Sequence, residues 1–243
     1  MADRCPIIFI GAGPGDPELI TVKGMKALSR AEVVLYAGSL VSPAVVAWAP
    51  LEAERVDTAP LTLEDIVARL IAAHRAGKRV VRLHSGDTSL FSALQEQLEL
   101  LDQEGIPFEV IPGVTAAAAA AAALAQELTL PEVSQTVILT RAAGRTPVPE
   151  GENLPSLAAH GATLVIYLSI RLLEQVAAEL AEHYGPEAPV VVAYRVSWPE
   201  ARFIRGTLRD IAARVRDAGI SRQALIMVGP ALAAWEGRLK ARS

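Results

Sequence analysis

Along this chain, short runs of β-branched and apolar residues alternate with longer stretches in which apolar residues return every three or four positions. In the first half, the runs at 6–10, 32–36, 79–83 and Phe108–Ile111 read as strands, and 21–30, 63–76 and 90–104 read as helices. Alternation of strand and helix predicts a mostly parallel sheet, because a parallel pair needs a crossover connection and a helix supplies it. From Thr62 onward, Leu63, Ile66, Val67, Leu70 and Ile71 mark one buried stripe. Gly77 stops that helix, and Thr62 with Asp65 forms a capping pattern at its start.

After Pro112-Gly113 the texture changes. The eight alanines Ala116 to Ala123 read as a helix, alanine being the best helix former. Strands are expected at 136–140, 162–168, 189–195, 202–206 and 224–228. Two of them are joined through the short turn Trp198-Pro199-Glu200, which predicts an antiparallel pair in a mixed sheet. The expectation is an α/β protein of two domains, 1–114 with a mostly parallel sheet and 115–243 with a mixed one.

Composition excludes several classes. With 243 residues, 51% of them hydrophobic and 21% charged, the chain can bury a core and does not read as disordered. The apolar run 114–125 is mostly alanine and short of the roughly 18 residues a membrane span needs. The stretch 7–10 is too brief for the apolar core of a signal peptide, so the cytoplasm is the expected address. A single cysteine, Cys5, and four scattered histidines give no zinc-ligand spacing, and no metal is expected. Lys and Arg total 23 against 27 Asp and Glu, a net charge of −4 that removes the global case for nucleic acid. An anionic substrate would need a local basic patch.

The candidate chemistry sits in three strand-end loops. The first, Gly11-Ala12-Gly13-Pro14-Gly15-Asp16-Pro17, lies where open α/β sheets place ligands. It is not a dinucleotide fingerprint: Asp16 stands in place of the last glycine, Pro14 removes an N–H, and Glu32 opens the next strand rather than closing it. The second is His84-Ser85-Gly86-Asp87-Thr88-Ser89, whose carboxylate suits the hydroxyls and ammonium of an adenosine-type cofactor. Asp87 is alternatively the N-cap of the following helix. The third is Pro112-Gly113-Val114-Thr115, which leaves backbone N–H groups free at a helix start.

These three loops, in this order and over this length, resemble the tetrapyrrole methylase family of S-adenosylmethionine-dependent enzymes. Within the family, three segments resemble the C-11 methyltransferases of cobalamin biosynthesis: the one from Gln135 through Arg141 to Glu150, Tyr36-Ala37-Gly38-Ser39-Leu40-Val41-Ser42, and Ser197-Trp198-Pro199. The resemblance implies two α/β domains with the cofactor in the cleft between them, and a homodimer. Carried over residue by residue, cofactor contacts fall on Pro14, Ser85, Gly86, Asp87, Leu90, Thr115, Ala116 and Leu168, with a backbone contact near Val196. The uroporphyrinogen-methylating members carry an aspartate and a lysine where Ala37 and the Asp57-Thr58 region stand here, so neither role transfers.

The implied substrate is precorrin-4, rich in peripheral carboxylates, which arginine forks would hold. Arg82, Arg141, Arg145, Arg171 and Arg195 are the candidates, with Arg141 and Arg145 preferred. No residue is assigned as catalytic base; His84, Tyr36 and Tyr194 are the nearby groups able to accept a proton. Three readings compete: the same reaction on the cobalt-loaded ring, another tetrapyrrole methylase, and a non-catalytic tetrapyrrole carrier. The carrier would use the same arginines but gives no reason for three cofactor-type loops.

Overall fold

A computed structural model describes residues 5–144 and 146–233. Two compact units divide the chain, Met1–Ala116 and Ala117–Ser243.

The first unit runs β1 (Ile7–Gly11), α1 (Val22–Leu28), β2 (Val33–Tyr36), α2 (Pro43–Val46), β3 (Glu54–Asp57), α3 (Leu63–Arg75), β4 (Val80–His84), α4 (Leu94–Gln103) and β5 (Phe108–Ile111). Its sheet has the order β3-β2-β4-β1-β5, and every pair is parallel. Alternate residues serve opposite faces. Ile10, Val34, Val81 and Leu83 pack with Leu28 of α1 and with Val45 and Val46 of α2. Ile7, Phe9, Leu35 and Val80 pack with Ile66, Val67 and Leu70 of α3 and with Leu101 of α4. Each fully buried leucine contributes about 1.5–3 kcal/mol. Thr62 and Asp65 close a reciprocal capping box on α3, and Gly77 ends the chain's run there at φ +76°.

Two expectations need correction. The helix expected from residue 90 begins only at Leu94, so Leu90 lies in a turn. Asp87 therefore caps no helix: the N-cap of α4 is Ala93, in the left-handed region and without a side-chain cap. Strand β3, which carries no alternation of buried and exposed residues, was not expected at all.

The second unit contains α5 (Ala116–Ala123, its first residue closing the first unit), β6 (Val137–Arg141), α6 (Leu154–Ala158), β7 (Thr163–Tyr167), α7 (Leu173–Tyr184), β8 (Pro189–Tyr194), β9 (Arg202–Thr207), α8 (Ile211–Asp217) and β10 (Ala224–Val228). The sheet order is β6-β7-β10-β8-β9, with β6 and β7 parallel and the other pairs antiparallel. This topology brings the ends of β6, β7 and β8 to the same edge as the starts of β9 and β10. Leu164, Ile166, Val192 and Ile226 form the core with Val176 and Leu180 of α7 and Ile211 and Val215 of α8. Strand β7 stops one residue before Leu168. Leu168 is no core leucine: it is 74% exposed and left-handed, φ +56°.

Candidate functional site

In the first unit β4, β1 and β5 are neighbours and parallel, so the loops that follow them leave one edge together. Backbone hydrogen bonds join these loops. Gly13 N–H donates to the Gly86 carbonyl at 3.1 Å and Gly86 N–H donates back to Gly13 at 2.8 Å, while Ala12 N–H donates to His84 at 2.7 Å. Gly113 N–H donates to Asp87 Oδ2 at 2.7 Å. The approach is close enough that a Cβ on Gly11 would lie 2.5 Å from the Gly113 nitrogen. Only glycine fits at 11 and 113. Gly86, at φ +66°, is different: a Cβ there would meet nothing nearer than 3.9 Å, and its open side faces Thr115 and the Ala116 nitrogen.

Asp87 is the acidic centre of this edge. Its Oδ1 accepts from Ser89 N–H at 2.9 Å and from the Ser89 hydroxyl. Partial burial raises its pKa, but the hydrogen bonds from the Ser89 hydroxyl and from the backbone of Gly113, Ser89 and Thr88 outweigh that, holding the carboxyl below its ordinary range. A similar device pins the loop after β2, where Asp57 Oδ1 accepts from Gly38 and Ala59 N–H, each at 2.9 Å. Those bonds lower its pKa against a smaller opposing effect of burial.

His84 and Arg82 lie beneath these loops. His84 is 4% exposed, and its pKa falls to about 3, chiefly through burial and then through the Arg82 charge. A histidine held neutral in this way is a poor proton acceptor at neutral pH. Arg82 is 6% exposed and spends its guanidinium on Gln97 Oε1 and the Leu83 carbonyl, which removes it from the arginines available to a substrate.

The second unit collects its candidates at the sheet edge described above. Leu168 follows β7, and Val196 follows β8, buried between Arg195 at φ +44° and Ser197 at φ +63°. Non-glycine residues in this region are strained, and such strain concentrates at working sites. Arg195 clamps the turn: its Nε donates to Gln223 Oε1 at 2.7 Å, it pairs with Glu200, and it lies 4.7 Å over the Trp198 ring. It is thus engaged internally. Arg141, at the end of β6, donates to the carbonyls of Ala142 (3.3 Å), Thr146 (2.9 Å) and Pro147 (2.6 Å), and is thereby engaged internally. Arg145 lies outside the described residues.

Sequence reasoning passed over Gln97, which is 2% exposed on α4. The signal was present: a glutamine stands between Leu94 and Leu101 on an otherwise apolar stripe. Among the described residues no three His, Cys, Asp or Glu side chains gather as a metal site would need. Nor is any described helix long and apolar enough to cross a membrane.

Comparison with known proteins places this arrangement. Residues 6–212 match the model for tetrapyrrole (corrin/porphyrin) methylases. The chain is 54% identical over 228 residues to a precorrin-4 C(11)-methyltransferase of Pseudomonas aeruginosa, covering 94% of this chain and 91% of that protein. It superposes on the X-ray structure of a cobalt precorrin-4 methyltransferase, a cobalamin biosynthetic enzyme, with a TM-score of 0.91 and 48% identity, covering 93% and 95% of the two chains. It also matches a uroporphyrin-III C-methyltransferase from Thermus thermophilus complexed with S-adenosylhomocysteine, with a TM-score of 0.76, 31% identity and 95% and 94% coverage.

Proposed function

The chain belongs to the tetrapyrrole (corrin/porphyrin) methylase family, and from that premise we propose that it transfers a methyl group from S-adenosylmethionine to C-11 of precorrin-4. The products are precorrin-5 and S-adenosylhomocysteine. The observation that carries this reading is the Gly86-Asp87 turn, pinned to Gly13 on one side and Gly113 on the other, with its open face toward Ala116.

The groups at this edge fit S-adenosylmethionine. An ionised carboxylate, the Ser85 hydroxyl and glycine backbone suit a cofactor that carries an ammonium, a sulfonium and ribose hydroxyls. Pro14, Ser85, Gly86, Asp87, Leu90, Thr115 and Ala116 hold it in the first unit; in the second, the contacts are Leu168 and the backbone near Val196. When bound, the cofactor supplies a methyl group on a cationic sulfur, which departs as a thioether with the electron pair of the broken S–C bond as the ring carbon forms the new C–C bond. The residues' part is to bind, align and exclude water, and alignment alone is worth roughly 7–11 kcal/mol. No side chain is needed as nucleophile, and His84, buried and neutral, takes no proton. Arg145 and Arg141 hold substrate carboxylates. The enzyme works in the cytoplasm as a homodimer, without a metal of its own, nucleic acid or membrane.

The match to the cobalt precorrin-4 enzyme favours a second reading, in which the ring already carries cobalt. One experiment tests both: turnover with carbon-13-methyl S-adenosylmethionine on metal-free and cobalt-loaded precorrin-4 side by side, with the labelled carbon located by NMR. Label at C-11 of the metal-free ring is the expected result. Preference for the cobalt form establishes the second reading, and label at another carbon overturns both.

A further inference from the structure

The turn that carries Leu90 is built against its own backbone preferences. Between Asp87 and α4, Phe91 (φ +52°) and Ala93 (φ +51°) are both left-handed, and neither is glycine. Helix α4 starts with no side-chain cap. Something must hold this segment, because a free chain would relax out of it.

Beneath it lies a buried polar cluster. Gln97 Nε2 donates to the Ala93 carbonyl at 2.8 Å, and Gln97 Oε1 accepts from Arg82 Nε at 3.3 Å. Arg82 NH1 donates to the Leu83 carbonyl at 3.2 Å. His84 meets the backbone of Ser92, its ring lies 5.8 Å from that of Phe9, and its Nε2 is buried without a hydrogen-bond partner. The Ser92 hydroxyl bonds the Thr88 carbonyl. Burial alone lowers the pKa of Arg82, to about 10; no carboxylate among its contacts offsets the charge. A desolvated guanidinium and an orphaned imidazole nitrogen are costly in an apolar layer. Leucine or methionine would pack there at less cost, so stability does not account for these residue types.

We infer that Gln97, braced by Arg82 and flanked by His84, is a positioning residue that holds the 88–93 turn in its left-handed form and so presents Asp87 and Leu90 to the cofactor. The inference rests on the proposed cofactor site. Arg82 orients the Gln97 amide by fixing which end accepts, leaving the NH2 to grip Ala93. Arg82, His84 and Gln97 are not among the proposed cofactor contacts, so loss of the cluster should weaken binding without altering the chemical step.

Gln97→Glu separates this role from a merely structural one. Glutamate keeps an acceptor for Arg82, as a full ion pair, but has no donor for the Ala93 carbonyl. Calorimetry with S-adenosylhomocysteine should show Kd raised about tenfold, the order expected when a buried acceptor loses its donor. The thermal midpoint should not fall, and amide hydrogen exchange should quicken at 88–96 while β4 stays protected. KM for S-adenosylmethionine should rise with kcat at saturation unchanged. A Kd within twofold of the parent protein overturns the inference. Should Gln97→Glu not fold, Gln97→Leu, which fills the space but removes both bonds, decides in the same way. Failure of the unsubstituted protein to bind S-adenosylhomocysteine would overturn the cofactor site itself, and this inference with it.

Discussion

Leu168 concentrates the argument at the scale of one residue. A leucine that is 74% exposed and left-handed contributes little to stability, because it buries little and sits in a region that costs a non-glycine residue about 1–2 kcal/mol. Under the proposed reading, its place is contact with the bound cofactor. Leu168→Gly is expected to change folding stability by less than about 1 kcal/mol in urea titrations, since relief of strain offsets the entropy of glycine. Affinity for S-adenosylhomocysteine should nevertheless drop several-fold. Lost stability with unchanged affinity would return Leu168 to a structural role. Its candidacy as a cofactor contact comes only from the family resemblance, since a leucine after TLVIY reads as one more core position. Arg82 shows the converse: its sequence position at the end of a strand made it a substrate candidate, and only its burial against Gln97 removed it.

At the scale of elements, the loops of the proposed site meet because the ends of β4, β1 and β5 are stitched together through glycine. The test is Gly113→Ala, whose Cβ would collide with the Gly86 carbonyl oxygen and lie 2.7 Å from the Gly11 Cα, backbone on both sides. The expected cost is about 1–3 kcal/mol in a urea denaturation curve, as for overpacking generally, together with loss of S-adenosylhomocysteine binding. A variant that keeps parent affinity would mean that the three loops need not stay in contact. The helices and strands were largely legible, α3 down to its capping box, because hydrophobic period and caps are local properties. The start of α4 was not. The Asp87 carboxylate accepts from the Ser89 N–H and the Ser92 hydroxyl donates to the Thr88 carbonyl, side-chain partners that compete with a helix, and the buried cluster then fixes the alternative. Strand β3 escaped notice for a different reason: it is a short edge strand, mostly exposed, with no apolar alternation to reveal it.

At the scale of the whole molecule, burial of a histidine ties stability to pH. Folded His84 resists protonation until about pH 3, whereas unfolded it takes a proton near its ordinary 6.5. The unfolded state therefore binds more protons within that window, and stability falls as pH drops from about 6.5 towards 3. Asp57 and Asp87, together with Asp210, whose carboxyl is held low by the Thr207 N–H and by Arg214, act in the same sense: their contribution is present above the ordinary carboxylate value and is lost as pH falls through the folded values. Urea midpoints should accordingly decline between pH 7 and pH 5, before the carboxylates titrate, and His84→Asn should flatten that part of the profile. An unchanged slope in the variant would assign the decline to other groups.

The division of labour between sequence and structure follows from locality. Periodicity, caps and turn residues determined by themselves that this is an α/β chain with a parallel sheet first and a mixed sheet after, and that ligand-type loops follow three of its strands. Those signals act over a few residues, so they survive in a linear reading. Which loops meet was decided by strand order: β1 pairs with β4 and β5 across more than seventy residues of chain, and that pairing alone brings Gly11, Gly86 and Gly113 into contact. Burial likewise belongs to the packed state. A histidine, an arginine and a glutamine read alike along a sequence whether solvated or enclosed, and the tertiary structure, by removing water from them, set their charge states and their partners.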